Sequence, residues 1–305
     1  MAESSGRRVA VVFNPTKIND DQLFATMTSA LARHPGWGIP IYLATTPTDP
    51  GRGMTRLAVE LGAELVLAVG GDGTVRAVTT ALGRTGVACA IVPMGTGNLL
   101  ARNLGVPLEL EGAVDVAFTG ARRRIDLAHL VVDHDQDNPT AFTGMAGIGF
   151  DAAMMRDTDT RLKKAVGNIA YVVAFAQQLG TRPRRIQVQV DDGPMINRRA
   201  VLMMVGNTGR LQGGIQLFPE ARPDDGKLDV LLAAPTSLGT WARFVRAVMR
   251  RKPVPQVEYQ SGTKVRIALD EPTVWEADGD TEGEGTHFEF TVQPDALLVV
   301  APALK

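Results

Sequence analysis

The sequence predicts an α/β N-terminal domain on a parallel sheet, followed by a mostly antiparallel β-sandwich C-terminal domain. Three observations predict it. Over residues 1–125, short and wholly apolar segments alternate with helical ones, the signature of strands covered on both faces. Near Arg122-Arg123-Arg124-Ile125-Asp126 the pattern changes to many short β segments. Glycine-rich turns directly follow two of the apolar segments, as at the carboxyl edge of an open sheet.

Taken in order, Val9 to Phe13 reads as a buried strand and Asp20 to Arg33 as a helix with acids in its first turn, where they complement the helix dipole. Ile41 to Ala44 is a short strand, and a helix running to about Leu61 follows the turn-rich Thr45 to Gly53. Leu65 to Val69 and Val87 to Val92 are strands; Thr74 to Leu82 and Asn98 to Leu104 are helices. Beyond Asp126 the expected strands are Ile125 to Val132, Ala141 to Gly147, Ile186 to Val190, Arg199 to Val205, Leu228 to Ala233, Lys264 to Leu269 and Phe288 to Val292. Helices are expected at Arg161 to Leu179 and Leu238 to Arg251. The division is residues 1–125 and 126–292, with a last strand within 293–305 returning to the first domain and a site in the cleft between the two.

Composition narrows the classes. With 305 residues, 45% hydrophobic and 21% charged, the chain can bury substantial cores. A net charge of −1 gives no global basic field, so nucleic acid is not an expected partner. The single cysteine, Cys89, excludes a disulfide framework and lies in an apolar run as a core thiol, which suits a reducing cytoplasm. The polar start, Met1 to Arg8, lacks the apolar stretch of a signal peptide, and no segment approaches the ~20 apolar residues of a bilayer span. Any membrane contact is therefore expected to be peripheral. The four histidines show no metal-ligand spacing.

Gly70-Gly71-Asp72-Gly73-Thr74 lies between a strand and a helix. Glycines there let backbone N–H groups approach a phosphate, and the helix N-terminus adds its positive dipole end. Asp72 can meet Mg²⁺ or help order the loop, and Thr74 can cap the helix. Pro93-Met94-Gly95-Thr96-Gly97-Asn98 repeats the arrangement after the next strand. Neither segment is a P-loop or a dinucleotide fingerprint: no Gly-Lys-Ser/Thr ending occurs, and the glycines at 70, 71 and 73 are not spaced as G-x-G-x-x-G.

Together with Ala101-Arg102-Asn103-Leu104-Gly105, these two segments resemble the diacylglycerol kinase catalytic family, which includes bacterial soluble lipid kinases and is related to sphingosine and ceramide kinases. The resemblance extends through Asn14-Pro15, Gly144 to Asp151, Gly206-Asn207, Gly213-Gly214, Pro219-Glu220-Ala221 and Asp224 to Asp229. It implies an NAD kinase/phosphofructokinase-like first domain that binds ATP, with a site at Asn14, Thr46, Gly70, Gly71, Asp72, Gly73, Thr74, Val75, Arg76, Gly95, Thr96 and Asn98. It also implies a Mg²⁺ ligand at Asp225, completed by the backbone carbonyls of Arg222 and Lys227. Read alone, Pro223-Asp224-Asp225-Gly226 is equally a type I turn.

Ala277-Asp278-Gly279-Asp280 resembles the family's Asp-Gly-Glu, whose carboxylate accepts the proton of the attacking lipid hydroxyl. Aspartate replaces glutamate at the second position, which leaves the role open between Asp278 and Asp280. Read alone, this acidic run is a solvated hairpin loop. The implied activity is phosphorylation of a lipid hydroxyl, with diacylglycerol the first choice and sphingoid bases, other lipids or NAD as alternatives; a non-catalytic nucleotide- or lipid-binding protein is the remaining one. Gly149-Phe150 and Ile169 to Leu179 are candidate walls for acyl chains. The basic, amphipathic Leu238 to Lys252 is a candidate membrane face. A homodimer is compatible with the sequence.

Overall fold

The computed structural model describes residues 6–149, 183–211, 216–234, 239–240, 243, 246 and 257–303. The chain forms two compact units, residues 1–127 with 295–305, and residues 128–294. It passes from one to the other within two strands, β5 (Ala121–Val132) and β14 (Asp280–Ala301).

The first unit is a parallel sheet flanked by helices. Its strands are β1 (Val9–Phe13), β2 (Ile41–Ala44), β3 (Leu65–Gly70) and β4 (Ala88–Pro93), joined by the end of β14. The order is β2-β1-β3-β4-β14, all parallel. β1, β3 and β4 are buried at every residue, which is why their sequences are apolar without alternation. The helices are α1 (Asp20–Arg33), α2 (Arg52–Glu60), α3 (Asp72–Leu82), α4 (Leu99–Leu104) and α5 (Leu110–Thr119). Asn19 caps α1 through the Gln22 N–H at 3.2 Å. Because β1 has β2 on one side and β3 on the other, successive crossovers leave in opposite directions. The carboxyl ends of β1 and β3 therefore flank a topological switch point, where such sheets bind ligands.

The second unit is antiparallel. Its strands are β6 (Thr140–Phe142), β7 (Met145–Ile148), β8 (Arg184–Val190), β9 (Ile196–Ala200), β10 (Leu202–Gly206), β11 (Leu228–Ala233), β12 (Val257–Gly262) and β13 (Lys264–Ala277), with the remainder of β5 and β14. One path runs β12-β11-β10-β7-β13-β14. The first half of β13 pairs β8, which pairs β9, whereas its last three residues pair β7. A register shift between Ala268 and Thr273 separates the halves, so one bent strand serves both layers of a sandwich. Side chains from both layers, including Ile186, Val188, Met203, Val205, Phe142, Phe288 and Phe290, share one core.

Five features differ from the sequence expectation, one being β12 (Val257–Gly262), which was not expected and pairs with β11. Helix α5 was not expected, although Leu110, Ala113, Val114 and Ala117 bury one helical face at i, i+3, i+4, i+7 spacing. The single strand expected at Arg199 to Val205 is two, β9 and β10, because each half pairs a different neighbour. The expected strand Ala141 to Gly147 is likewise divided, into β6 and β7. β13 and β14 run far beyond Lys264 to Leu269 and Phe288 to Val292, since each supplies the other's hydrogen bonds across the acidic run. The expected helix Arg161 to Leu179, and with it Ile169 to Leu179, lies outside the described residues, as do Phe150 and most of Leu238 to Lys252. Among the described residues no helix is long and apolar enough to cross a membrane.

Cys89 sits mid-strand in β4, fully buried between β3 and β14, and burial pushes its thiol up to about 12. Native protein should therefore leave a chromogenic disulfide reagent unreacted at neutral pH and release one thiol equivalent on denaturation, monitored by absorbance. Rapid labelling of the native chain would contradict this burial.

Candidate functional site

Register places the sequence-predicted nucleotide residues along one edge of the first unit's sheet. Phe13 is paired with Ala44 and with Val69, and Gly70 with Pro93. Asn14, Thr46, Gly71 and Gly95 thus follow within two residues of the carboxyl ends of four parallel strands. Asn14 anchors the first turn: its Oδ1 accepts from the Thr16 N–H at 3.0 Å and the Thr16 hydroxyl at 2.8 Å. Thr46 closes a reciprocal turn with Asp49, its hydroxyl accepting the Asp49 N–H at 3.0 Å.

The two glycine turns touch through backbone. A methyl group at Gly95 would lie 2.7 Å from the Gly71 Cα, and one at Gly70 2.6 Å from the Thr74 Cβ, so side chains are excluded at both points. Asp72 holds the turns together: Oδ2 accepts the Asn98 N–H at 2.8 Å and Oδ1 the Leu99 N–H at 2.7 Å. One carboxylate, in the first turn of α3, therefore caps the next helix, α4. Of the two roles the sequence allows Asp72, loop ordering is the one these contacts display. Asn98 takes a left-handed conformation (φ 51°, ψ 47°), which asparagine tolerates. Its amide closes the second turn, accepting from the Gly95 N–H at 2.9 Å and donating to the Gly95 carbonyl at 2.8 Å. The Arg102 Nε donates to the Gly97 carbonyl at 2.9 Å.

Because Gly71 stands at the N-cap, α3 begins with no side-chain cap. First-turn N–H groups without a cap are suited to a phosphate. Thr74 and Val75 are buried, which leaves their backbone as the part able to meet a ligand; Thr96 is exposed, and Gly73 and Arg76 are partly so. Sequence reasoning missed Asp49. Its carboxylate accepts the N–H groups of Gly51, Gly53 and Met54 at 3.0–3.2 Å, capping α2 beside the same edge. Partial burial pushes the Asp49 carboxyl up, but these backbone donors outweigh it and hold the group below the usual carboxylate range. An aspartate just before a helical run was the available signal.

The second unit holds the carboxylate motif. Asp278 and Gly279 form a two-residue hairpin turn between β13 and β14, with φ of 50° and 88°, as a type I′ turn requires. Asp278 is buried, and its carboxylate accepts three backbone N–H groups, from Thr143 (3.1 Å), Gly144 (2.8 Å) and Met145 (3.1 Å). Its own N–H donates to the Met145 carbonyl at 2.8 Å. Asn207 braces the same segment, its Nδ2 donating to the Thr143 carbonyl at 3.2 Å. Asp280, opposite Ala277 at the start of β14, is only partly buried. The two acids therefore differ: Asp278 is spent on backbone donors, and Asp280 is accessible.

Asp225 is exposed, and its Oδ1 accepts the Lys227 N–H at 3.0 Å across a turn with Gly226 at φ +70°. The Asp229 carboxyl is pushed up to about 6, first by burial and then by the neighbouring Asp225 and Glu220 charges. Acidic side chains gathered at a turn, offset in part by Lys227 and by Arg222 on Asp224, are chemistry that suits a hard divalent cation. Among the described residues no cluster of three or more His, Cys, Asp or Glu side chains has metal-binding geometry, so carbonyl oxygens and water would have to complete the shell.

An α/β unit with two glycine turns at the carboxyl edge of its sheet is thus followed by a β-sandwich carrying an Asp-Gly-Asp turn. Residues 8–130 match the diacylglycerol kinase catalytic domain, and residues 144–301 match the YegS C-terminal NAD kinase beta sandwich-like domain. The chain belongs to the diacylglycerol kinase catalytic family. A "Probable lipid kinase YegS-like" protein of Pseudomonas savastanoi pv. phaseolicola is 31% identical over 97% of this chain and 94% of its own length. Another of that description, from Klebsiella pneumoniae, is 31% identical over 72% of this chain and 71% of its own. In fold, the chain is similar to a crystal structure of a putative diacylglycerol kinase from Bacillus anthracis, with a TM-score of 0.78 and 21% identity over 98% and 97% of the two chains. It is also similar to an NAD kinase from Archaeoglobus fulgidus in complex with ATP, with a TM-score of 0.51 and 14% identity over 96% and 93%.

Replacing Asp72 by alanine removes the acceptor for both α4 N–H groups and should cost about 1–2 kcal/mol, read as a lowered denaturant midpoint. Gly95→Ala should weaken ATP binding by at least roughly tenfold in calorimetry, by forcing the turns apart. ATP affinity unchanged in Gly95→Ala would show that the contact between the turns is not part of the site.

Proposed function

We propose that the protein transfers the γ-phosphoryl group of ATP to the hydroxyl of a lipid, diacylglycerol being the preferred substrate and phosphatidic acid the product. One observation carries the reading: two glycine turns in backbone contact, clamped by Asp72, at the carboxyl edge of a parallel sheet. Phosphoryl transfer needs positioning and charge stabilisation more than covalent chemistry. The N–H groups at the start of α3 and the Gly95 to Asn98 turn hold the triphosphate, with Asn14 and Thr46 on the flanking strand ends. Magnesium ion, when bound, supplies neutralisation of phosphate charge.

Asp280 is the general base. It accepts the proton of the lipid hydroxyl as the hydroxyl oxygen bonds to the γ-phosphorus and the bond to the β-bridging oxygen of ADP breaks. Asp278, saturated by three N–H groups, is the positioning residue that fixes the turn carrying Asp280. The kinase family and the relatives described as probable lipid kinases support this reading. Asp225, with the Arg222 and Lys227 carbonyls, is the proposed holder of a second, structural Mg²⁺. Work at a bilayer by a chain whose described residues include no spanning helix implies peripheral contact.

The decisive assay offers γ-labelled ATP with diacylglycerol, a sphingoid base and NAD in parallel. Label should enter diacylglycerol, and Asp280→Asn should lower kcat by roughly 10²–10⁴ with ATP affinity retained. Labelling of NAD alone would overturn the lipid assignment. For the structural metal, Mg²⁺ should raise the thermal midpoint of the wild-type chain but not of Asp225→Ala; equal increments in both would remove Asp225 from the site.

A further inference from the structure

Outside the residues assigned to either site, the β8–β9 hairpin carries four arginines in two adjacent pairs, Arg184-Arg185 and Arg198-Arg199. Two of them are occupied. Arg184 donates to the Thr273 hydroxyl and the Pro272 carbonyl. Arg198 pairs with Glu258 at 2.6 Å and 3.3 Å. Arg185 and Arg199 stand directly opposite each other across the two strands, both exposed, and neither has a side-chain partner among the described residues. Like charges in directly opposed cross-strand positions oppose pairing, so this hairpin keeps a repulsion that an anion between the side chains would relieve.

The surroundings are shaped for such an anion. Arg185 and Arg199 line a concavity of about 600 Å³ together with Gln187, Asn197, Arg198 and Asp270. Gln187 and Asn197, two residues along each strand, form the next opposed pair on the same face and bring neutral amide donors beside the two guanidinium forks. Guanidinium planes match phosphate oxygens in bidentate geometry, which a field of point charges does not. Asp270 is the lone acid of the concavity and accepts hydrogen bonds only, so it suits a ligand carrying hydroxyl groups next to its phosphate.

We infer that the outer face of the β8–β9 hairpin binds the phosphodiester headgroup of an anionic glycerolipid at a bilayer surface, with Arg185 and Arg199 on the phosphate and Asp270 on a headgroup hydroxyl. The choice of a bilayer rather than a soluble phosphate ester rests on the lipid-kinase reading above. This face is distinct from the nucleotide turns and from Asp278 and Asp280, and it is a docking contact, not part of the chemistry.

The test is co-sedimentation with phosphatidylcholine vesicles, with and without phosphatidylglycerol, comparing wild type with Arg185→Gln/Arg199→Gln. Both side chains are exposed, and an unchanged thermal midpoint checks that the variant folds. Wild type should pellet with the anionic vesicles, less so as salt rises, and the variant should partition roughly 10- to 30-fold more weakly. Equal partitioning of the two proteins overturns the assignment, as does a wild type indifferent to phosphatidylglycerol. Calorimetry with glycerol 3-phosphate separates the sources: arginine-dependent binding of the soluble ester without vesicle binding overturns the bilayer claim. Label transfer to detergent-dispersed diacylglycerol should be the same in both proteins. Its absence from both would overturn the kinase reading while sedimentation still judges the hairpin.

Discussion

The carboxyl edge of the first unit's sheet depends on one carboxylate shared between two helices. Asp72 belongs to α3 but gives both oxygens to the N-terminus of α4, 26 and 27 residues away in sequence. A helix start usually takes its cap from the residue preceding it. Here Asn98 uses its amide on the Gly95 turn instead, and Gly71 has no side chain to cap α3. The cap of α4 thus comes from the preceding helix, and α3 has no side-chain cap. The result is a tight pair of turns with the N–H groups of α3 left to a ligand. Moving either loop apart from the other would break the Asp72 bonds to α4.

Carboxylates recur as loop fasteners in this fold. Asp49 ties three N–H groups at the start of α2, and Asp278 ties three on the Thr143 to Met145 segment. Asp191 accepts from the N–H groups of Thr263 and Lys264 and from the Thr263 hydroxyl, and Asp133 from those of Thr286 and His287. Charge-assisted bonds to backbone donors are the stronger class of hydrogen bond and settle loop geometry without bulk. An aspartate in a motif is therefore not a catalytic group by default. Asp278 and Asp280 differ in this respect: the first is enclosed by donors, the second stands partly open on the strand that follows.

Much of the first unit was legible because buried parallel strands are apolar at each position and their helices carry ordinary signals, such as Asn19 before Asp20 and Asp21. Short α5 is weakly marked in sequence because Pro107, Gly112 and Gly120 are poor helix formers, while the apolar spacing of Leu110, Ala113, Val114 and Ala117 is present. The long strands of the second unit were hidden for a different reason. Thr281 to Gly285 has the composition of a turn, and its extended form comes from pairing with β13 rather than from local preference. For the site, the glycine turns announced themselves through local sequence. The partners of Asp72 and Asp278 did not, since contacts spanning 26 to 135 residues leave no local trace.

A crystal structure with a non-hydrolysable ATP analogue and Mg²⁺ is the most direct test of this account. The phosphates should contact the backbone N–H groups of Gly71 to Thr74 and of the Gly95 to Asn98 turn, with the Asp72 bonds to Asn98 and Leu99 intact. Triphosphate density elsewhere on the chain, or an Asp72 side chain swung away from α4 to meet the nucleotide, would contradict it.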